Sequence, residues 1–373
     1  MTDLSPFRLT VYDKAFKRLG WIGAPRRVEV VPRHNAVGYA KVTVPADDPR
    51  VPHLVEPGAR MTVDYLGEQV MSGRVSELAG TGPQSAAEVE LTVEDDFRLL
   101  ARLLGWPNPA GTLAQQGAAT AYDTITGPAE TVVKTLVTRN KGRSAPGVEV
   151  VASAGRGSTI TASLRMHPLA DRVLPLVDQA GVGVDVRQQG GGLVLDCYLP
   201  RQVPQILSEE SGVVVGWQWT ATAPSATRVV VGGQGEGTAR EFVQVVDSTR
   251  EAQWGETIEV FRDARDTDDE LVLAERGQES LVEGAPKTGL SLTLAESRGW
   301  AYGRSVRVGD KVTTRIAPGA DVTDVLREAQ IIWDAQDGLS VTPVVGERTD
   351  DPSVTLRTTI TALARAIRDL KAR

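Results

Sequence analysis

The most chemically suggestive stretch of this 373-residue chain is a run of glycines between two valine-rich segments. Residues 227–247 read TRVVVGGQGEGTAREFVQVVD, with glycine at Gly232, Gly233, Gly235 and Gly237. A glycine-rich loop after a strand can cradle phosphate through its backbone N–H groups. Here the spacing is G-G-x-G-x-G, with no Lys-Ser/Thr pair and no helical pattern behind it. The sequence therefore favours a bent hairpin whose glycines admit a close neighbour, and we expect no phosphate binding.

Other residues able to do chemistry are scattered. His34, His53 and His167 lie in different segments, and none has a second ligand at metal-binding spacing. The adjacent acids Asp95 and Asp96 could act as general acid and base, but they precede a helical pattern and are interpreted as first-turn acids of a helix. We therefore expect no enzyme, no metal and no cofactor, although the paired carboxylates of a glycosidase could still be assembled from distant segments.

Two further features have a structural interpretation. Cys197 lies in an alternating segment and is expected to be a small buried hydrophobe rather than a reactive thiol. Trp217 and Trp219, two residues apart, could form a platform that stacks on sugars. No polar residues converge beside them, so two core side chains on one strand face are favoured.

Composition indicates a folded protein. Hydrophobic residues make up 41% and charged residues 24% of the chain, values near the globular average. The net charge of −7, without a basic block, argues against tight binding of nucleic acid, whereas an acidic conduit would let DNA slide past. No apolar run is long enough to span a membrane, and the N-terminus lacks a signal-peptide pattern, so we expect folding in a cytoplasm.

The elements that must position these residues change type along the chain. Between 26 and 93, apolar residues alternate with polar ones, which predicts half-buried antiparallel strands. Helical spacing then dominates at three places, namely 97–104, 128–140 and 167–181, the last interrupted by Pro175. Alternation returns at 184–186 and 193–197 and again beyond 213, apart from a helix predicted from 266 to about 282.

These patterns predict a mainly β protein of the α+β class: two small β-barrel or sandwich domains, an α/β insertion and a short C-terminal helix. The predicted boundaries are 1–110 for the N-terminal β-barrel or sandwich domain, 111–224 for the mixed α/β insertion, 225–345 for the second β-barrel domain, and 346–373 for the C-terminal linker and helix.

The C-terminal helix has the spacing of a short coiled-coil seam. Its apolar residues follow a 4, 3, 4, 3 pattern with no Gly or Pro between them, at Leu356, Ile360, Leu363, Ile367 and Leu370. Ile at a and Leu at d favours two strands, but a seam this short is marginal alone. We predict an oligomerisation helix that either self-associates or docks on a partner, with copy number set by larger interfaces.

The glycine stretch also opens a set of motifs that resembles a known protein family. The motifs occur in order over most of the chain: Asp95–Phe97 leading to LGWP at 104–107, GPAET at 127–131, GGQGEG at 232–237 followed by Arg240, EVFRDARD at 259–266, and GDKVT at 309–313. This series is similar to that of the tail-tip hub proteins of long-tailed phages. Those minor tail proteins close the non-contractile tube and are related to the baseplate hub of contractile tails.

The resemblance implies a structural virion protein with barrel domains of tail-hub type and supplies no catalytic residue. It implies an oligomeric ring at the distal end of the tail tube, which joins the tube to the tip or host-recognition proteins and lines the DNA conduit. The implied partners are the chain itself as a homotrimer, the tail tube or distal tail protein, the tape-measure protein, and tip or receptor-binding proteins. The four glycines and Arg240 are expected at a domain or subunit contact.

The alternative is a tail-associated cell-wall-binding or cell-wall-degrading protein. Such proteins are expected to carry a dedicated extra domain, and no such domain is predicted here.

Overall fold

A computed structural model describes residues 5–83, 87–116, 120–286, 288–295, 300–317, 320–345 and 348–349. The protein is mainly β, with 44% strand and 19% helix, which confirms the predicted class in its broad α+β form. Its described backbone divides into two compact units, the first within 5–205, 294–312 and 324–344, and the second within 206–293, 313–323 and 345–349. In the described residues, no helix is both long and apolar enough to cross a membrane.

The strands are numbered in chain order. They are β1 (Phe7–Tyr12), β2 (Arg18–Ile22), β3 (Arg27–Val31), β4 (Tyr39–Pro45), β5 (Arg60–Tyr65), β6 (Glu68–Thr81), β7 (Glu88–Asp95), β8 (Leu104–Gly105), β9 (Asp123–Pro128), β10 (Val148–Val150), β11 (Thr159–Leu164), β12 (His167–Pro168), β13 (Gly183–Gln189), β14 (Gly192–Tyr198), β15 (Gln202–Ser208), β16 (Val214–Ala221), β17 (Arg228–Gly232), β18 (Phe242–Val246), β19 (Glu259–Asp263), β20 (Thr288–Leu294), β21 (Lys311–Ala317), β22 (Ala320–Asp334), β23 (Gly338–Val345) and β24 (Arg348–Thr349).

The helices are α1 (Val51–Val55), α2 (Arg98–Arg102), α3 (Ala129–Lys141), α4 (Leu169–Gln179), α5 (Ser248–Trp254) and α6 (Glu270–Glu283), with 3₁₀ turns at Leu113–Gln115 and Gly237–Ala239.

The first unit contains a large antiparallel sheet. Its strand order is β22-β3-β4-β7-β6-β5-β1-β2. The predicted alternation is visible in β4, where Ala40, Val42 and Val44 are fully buried between the less buried Lys41 and Thr43. One face of each strand is thus removed from water, which stabilises the sheet through apolar burial.

The middle of the first unit mixes helices with small sheets, as the change of period predicts. β10 pairs in parallel with β14, which pairs with β13; β9 pairs with β11 and β8 with β12. Helices α3 and α4 pack side by side, and their apolar faces, including Val132, Leu136, Val173 and Val177, share one buried cluster with the strands. The helix predicted at 97–104 is wrong in its extent: α2 ends at Arg102 because β8 pairs with β12 and this pairing overrides helical spacing.

The second unit contains a mixed three-stranded sheet in the order β18-β17-β19. β17 pairs antiparallel with β18 and parallel with β19, so α5 carries the chain across between them. Helix α6 covers one face, where Val229, Val231, Leu273 and Leu281 form a buried cluster. The strand, glycine loop and second strand predicted for 227–247 are confirmed, whereas the parallel third strand was not predicted.

The described strand pairings follow open paths, and among these residues no sheet closes into a barrel. Alternation requires only one covered face, and in the second unit the helix α6 supplies that cover. The two barrel or sandwich domains and the four domain boundaries stay predictions. The oligomerisation helix with Leu356, Ile360, Leu363, Ile367 and Leu370 lies outside the described residues.

Candidate functional site

The glycine loop joins β17 to β18 within the second unit. Gly235 has a φ of +109° and Gly237 a φ of +54°, backbone conformations that glycine adopts without steric cost. The backbone N–H of Gly233 donates to the Glu241 carbonyl at 2.9 Å, and that of Gln234 donates to the Thr267 carbonyl at 2.8 Å. Since a phosphate cradle needs free N–H groups, these two donors are already occupied by the chain itself.

The space left by the missing side chains is filled by neighbours from the same unit. A Cβ on Gly232 would lie 2.6 Å from Nη2 of Arg240 and 2.9 Å from the ring of Phe261. A Cβ on Gly233 would lie 2.8 Å from Cδ1 of Leu273, which belongs to α6. These glycines therefore let side chains of the same unit approach the loop backbone closely, as expected for a bent hairpin whose glycines admit a close neighbour.

Arg240 fixes the loop. Its Nε donates to the Gly233 carbonyl at 3.1 Å, and its Nη2 donates to the Gly232 carbonyl at 3.0 Å and to the Asp263 carboxylate. The guanidinium carbon also lies 5.6 Å from the ring centroid of Phe242 and 5.5 Å from that of Phe261, within cation–π range. The Arg240 side chain is only 12% exposed, so its position is set before any partner arrives.

The sheet face opposite α6 carries large exposed apolar side chains. We call it the open face, and by strand register it comprises Arg228, Val230, Gly232, Phe242, Gln244, Val246, Glu259, Phe261 and Asp263. Phe242 is 58% exposed, Phe261 55% and Val246 40%. Clustered exposed apolar side chains on one face indicate an interaction surface.

The sequence analysis identified Gly232 and Arg240 but missed Phe242 and Phe261. A signal was present, because β18 and β19 carry apolar residues at successive positions, for example Phe242 beside Val243. A strand with only one buried face alternates, whereas apolar residues on both faces indicate a second covering. The exposed aromatics therefore belong to the same site as the predicted loop.

The acids Asp95 and Asp96 have separate roles. Asp96 is buried and accepts from Nη2 of Arg60 at 2.5 Å and from Oγ of Ser72 at 2.7 Å. Asp95 accepts from the backbone N–H of Phe97 at 3.1 Å. Burial raises the pKa of Asp95 to about 7, although that backbone bond opposes the shift. Their interpretation as first-turn acids is wrong, since α2 starts at Arg98 and has no acid in its first turn.

His34 belongs to a buried network rather than a metal site. It hydrogen-bonds with the Tyr198 hydroxyl at 2.8 Å and with the Asp178 carboxylate at 3.1 Å, and Arg327 donates to Asp178 at 2.6 Å. Burial lowers the pKa of His34. The pKa of Asp178 is also lowered, because the bonds from His34 and Arg327 outweigh the burial that by itself would raise it.

The remaining candidates do not join these groups. His53 lies in α1 and His167 in β12, and in the described part of the chain no three His, Cys, Asp or Glu residues are grouped to hold a metal. Cys197 is buried, which raises the pKa of its thiol to about 12 and keeps it protonated. Trp217 and Trp219 both lie in β16.

The fold is that of phage tail proteins. The chain is similar to the 43 kDa tail protein of prophage MuSo2 from Shewanella oneidensis, with a TM-score of 0.52 and 13% identity over 92% of this chain and 99% of that chain. It is also similar to the tail protein from Neisseria meningitidis MC58, with a TM-score of 0.51 and 14% identity over 93% of this chain and 98% of that chain. At such identities the likeness concerns the fold alone.

The match to a protein family is more specific than the likeness in fold. Residues 8–347 match the family described as Siphovirus ReqiPepy6 Gp37-like protein. The chain belongs to this siphovirus protein family. No curated protein matches the chain.

Proposed function

We propose that the protein is a tail hub, a homotrimeric ring at the distal end of the tail tube that joins the tube to the tip or host-recognition proteins. The observation that carries this proposal is the family match over 8–347, which includes almost every described element of both units. The resemblance to tail hubs implies three copies, because the ring must match the symmetry at the end of the tube, and heterologous contacts close into rings.

The glycine loop and Arg240 form a domain or subunit contact in this proposal. Gly232, Gly233, Gly235 and Gly237 lie beside the open face, and Arg240 is held there by three hydrogen bonds. A side chain fixed in advance loses little entropy when a partner binds, so such a surface favours association. A second proposed contact element is the oligomerisation helix, which self-associates or docks on a partner protein through Leu356, Ile360, Leu363, Ile367 and Leu370.

The proposed position at the distal end of the tail tube also implies the partners of the protein and a conduit for DNA. The hub contacts the tail tube or distal tail protein, the tape-measure protein and the tip or receptor-binding proteins, and DNA passes through its ring. The net charge of −7 supports passage without tight binding, since like charge repels the phosphate backbone. The two barrel or sandwich domains at 1–110 and 225–345, with the α/β insertion at 111–224, belong to this proposal as the building parts of the ring.

We propose no enzymatic role. Three of the side chains that could do acid–base or nucleophilic chemistry, Asp96, His34 and Cys197, are buried and engaged in the fold or held protonated, and Asp95 accepts a hydrogen bond from the backbone of Phe97. The alternative, a protein that binds or degrades cell walls, is not favoured by the family.

Native mass spectrometry of the purified protein tests the ring, and we expect three copies per particle. Turbidity of cell-wall suspensions tests the alternative, and we expect no decrease. A decrease in turbidity that a single carboxylate substitution abolishes would contradict the non-enzymatic role.

A further inference from the structure

The open face lacks a covering in the described structure. β17 and β19 form a parallel pair within this mixed sheet, and the strands of all-parallel sheets are covered on both faces. Helix α6 covers one face only, and Phe242 and Phe261 on the other are more than half exposed. We propose that residues 350–373 of the same chain cover the open face, with the apolar stripe from Leu356 to Leu370 packed against these two aromatic rings.

The point at which the chain leaves the described residues supports this placement. Thr349 pairs with Thr288 in the second unit. Thr288 follows Gly284 by four residues, and the Gly284 carbonyl accepts from the backbone N–H of Ala226, which precedes β17. Four residues span at most about 14 Å. Thr349 therefore lies near the end of the open face where β17 begins.

The dimensions of the segment match those of the face. In a helix, the stripe from Leu356 to Leu370 would be about 21 Å long. Each five-residue strand of the face is about 17 Å long. Residues 350–355 are long enough, when extended, to bring the start of the stripe from Thr349 onto the sheet.

The charges of the two parts are complementary. Residues 206–293 contain sixteen acidic and seven basic side chains, a net charge of −9, which exceeds the −7 of the whole chain. Residues 350–373 contain five basic side chains and three acidic side chains, a net charge of +2. On the open face itself, Glu259 and Asp263 are exposed. Attraction of opposite charges orients the segment, and apolar contact with the aromatic rings holds it.

This inference rests on the proposed function and places the C-terminal segment on the open face of its own chain instead of on a copy or a partner, and it leaves trimer formation to the larger β-rich interfaces. The test uses the full chain with Leu363→p-benzoylphenylalanine, a photo-crosslinking residue on the apolar stripe. Arg365→p-benzoylphenylalanine, off the stripe, is the matched control. We expect cross-links from position 363, but not from 365, to residues 242–246 or 259–263.

Mixing isotopically light and heavy protein distinguishes contacts within one chain from contacts between copies. Cross-links within one chain support the inference. Cross-links to the same segment of a second copy, cross-links to the open face of a second copy, or no cross-link to this face each overturn it. The native mass of the same sample reports on the ring separately: a trimer without the cross-link contradicts this inference alone, and a cross-linked monomer contradicts the ring alone.

Hydrogen exchange gives a second readout. In the double variant Phe242→Ser and Phe261→Ser, protection of residues 356–370 should fall by at least about tenfold, because two apolar contacts are lost. Leu271→Ser, at a 77% exposed position in the same unit, is the control and should leave protection unchanged. Equal protection in the double variant and the control would overturn the inference.

Discussion

The two units use charged side chains in opposite ways. In the first unit, Arg60 and Asp96 form an ion pair whose side chains are 1% and 3% exposed, surrounded by apolar strands. In the second unit, Arg240 is nearly buried but pairs with Asp263, which is 52% exposed, beside two exposed aromatic rings. A buried pair is costly to break and therefore fixes a fold, whereas an arginine fixed at the surface serves a contact.

The largest expected effect is loss of the buried pair. Arg60→Met should destabilise the protein by about 3–5 kcal/mol, because Asp96 would keep an uncompensated buried charge. Arg240→Met should cost only about 1–2 kcal/mol, since Asp263 remains solvated. Urea unfolding measures both variants. Adding Asp96→Leu to Arg60→Met should recover most of the loss, and an equal cost for Arg60→Met and Arg240→Met would remove the contrast between the units.

The pH dependence of stability tests the burial of polar groups in the first unit. The pKa of Asp95 is about 7 in the folded protein, above its ordinary value of 3.8, so the folded state binds more protons between these values. Stability should therefore decrease as pH rises from about 4 to 7, by roughly 2–4 kcal/mol. Asp95→Asn should abolish this decrease and stabilise the protein at pH 8.

His34 should change stability with pH in the direction opposite to that of Asp95. Its pKa is lowered by burial, so the stability provided by its neutral form is present above the ordinary pKa of 6.5 and is lost as pH falls below it. His34→Gln should therefore alter only the acid side of the stability profile. A wild-type profile that is flat between pH 4 and 8 and unchanged by Asp95→Asn would contradict the assignment of a raised pKa to Asp95.

Backbone strain at the glycine loop should have a moderate effect. Gly235→Val places a side chain at φ +109° and its Cβ 2.5 Å from the Ala239 carbonyl oxygen. We expect a loss of about 2–3 kcal/mol, read from thermal unfolding. Gly237→Asn, at φ +54° with open space around the Cβ position, should change stability by less than about 0.5 kcal/mol.

The same loop should bind no nucleotide in calorimetric titration with ATP. Measurable binding that Gly235→Val abolishes would show that the loop is a phosphate site after all.

The smallest effect on stability is expected on the open face. Phe261→Ser should change the free energy of unfolding by only about 1 kcal/mol, because the ring contributes to the docking of residues 350–373 and lies outside the buried cluster beneath α6. Val231→Ser, on the buried face of the same sheet, should cost about 2–3 kcal/mol. If both cost the same in urea unfolding, the open face is part of a core and not a contact surface.

Much of the local structure could be predicted from the sequence. Alternation located β4 and β5, glycine spacing located the turn between β17 and β18, and Pro128 marked the start of α3. These signals are local, because side-chain direction and backbone freedom depend on the residue itself and its neighbours.

Non-local features could not be predicted. The parallel pairing of β17 with β19 and the ion pair of Arg60 with Asp96 join residues far apart in sequence. Asp95 and Asp96 illustrate the difference. Because they are adjacent and precede a helical pattern, both were interpreted as first-turn acids. In the structure, the Asp96 carboxylate accepts from Arg60, whereas the Asp95 carboxylate accepts from the backbone N–H of Phe97. The aromatic pair on the open face was missed because its partners lie on separate strands.

We propose that this protein forms a trimeric hub at the end of the tail tube. Cryo-electron microscopy of isolated tails, combined with mass measurement of detached tail tips, tests it most directly. We expect three copies around the axis at the distal end of the tube, between the tube and the tip proteins. Copies distributed along the tube, or a clean monomer or dimer in the tips, would contradict it.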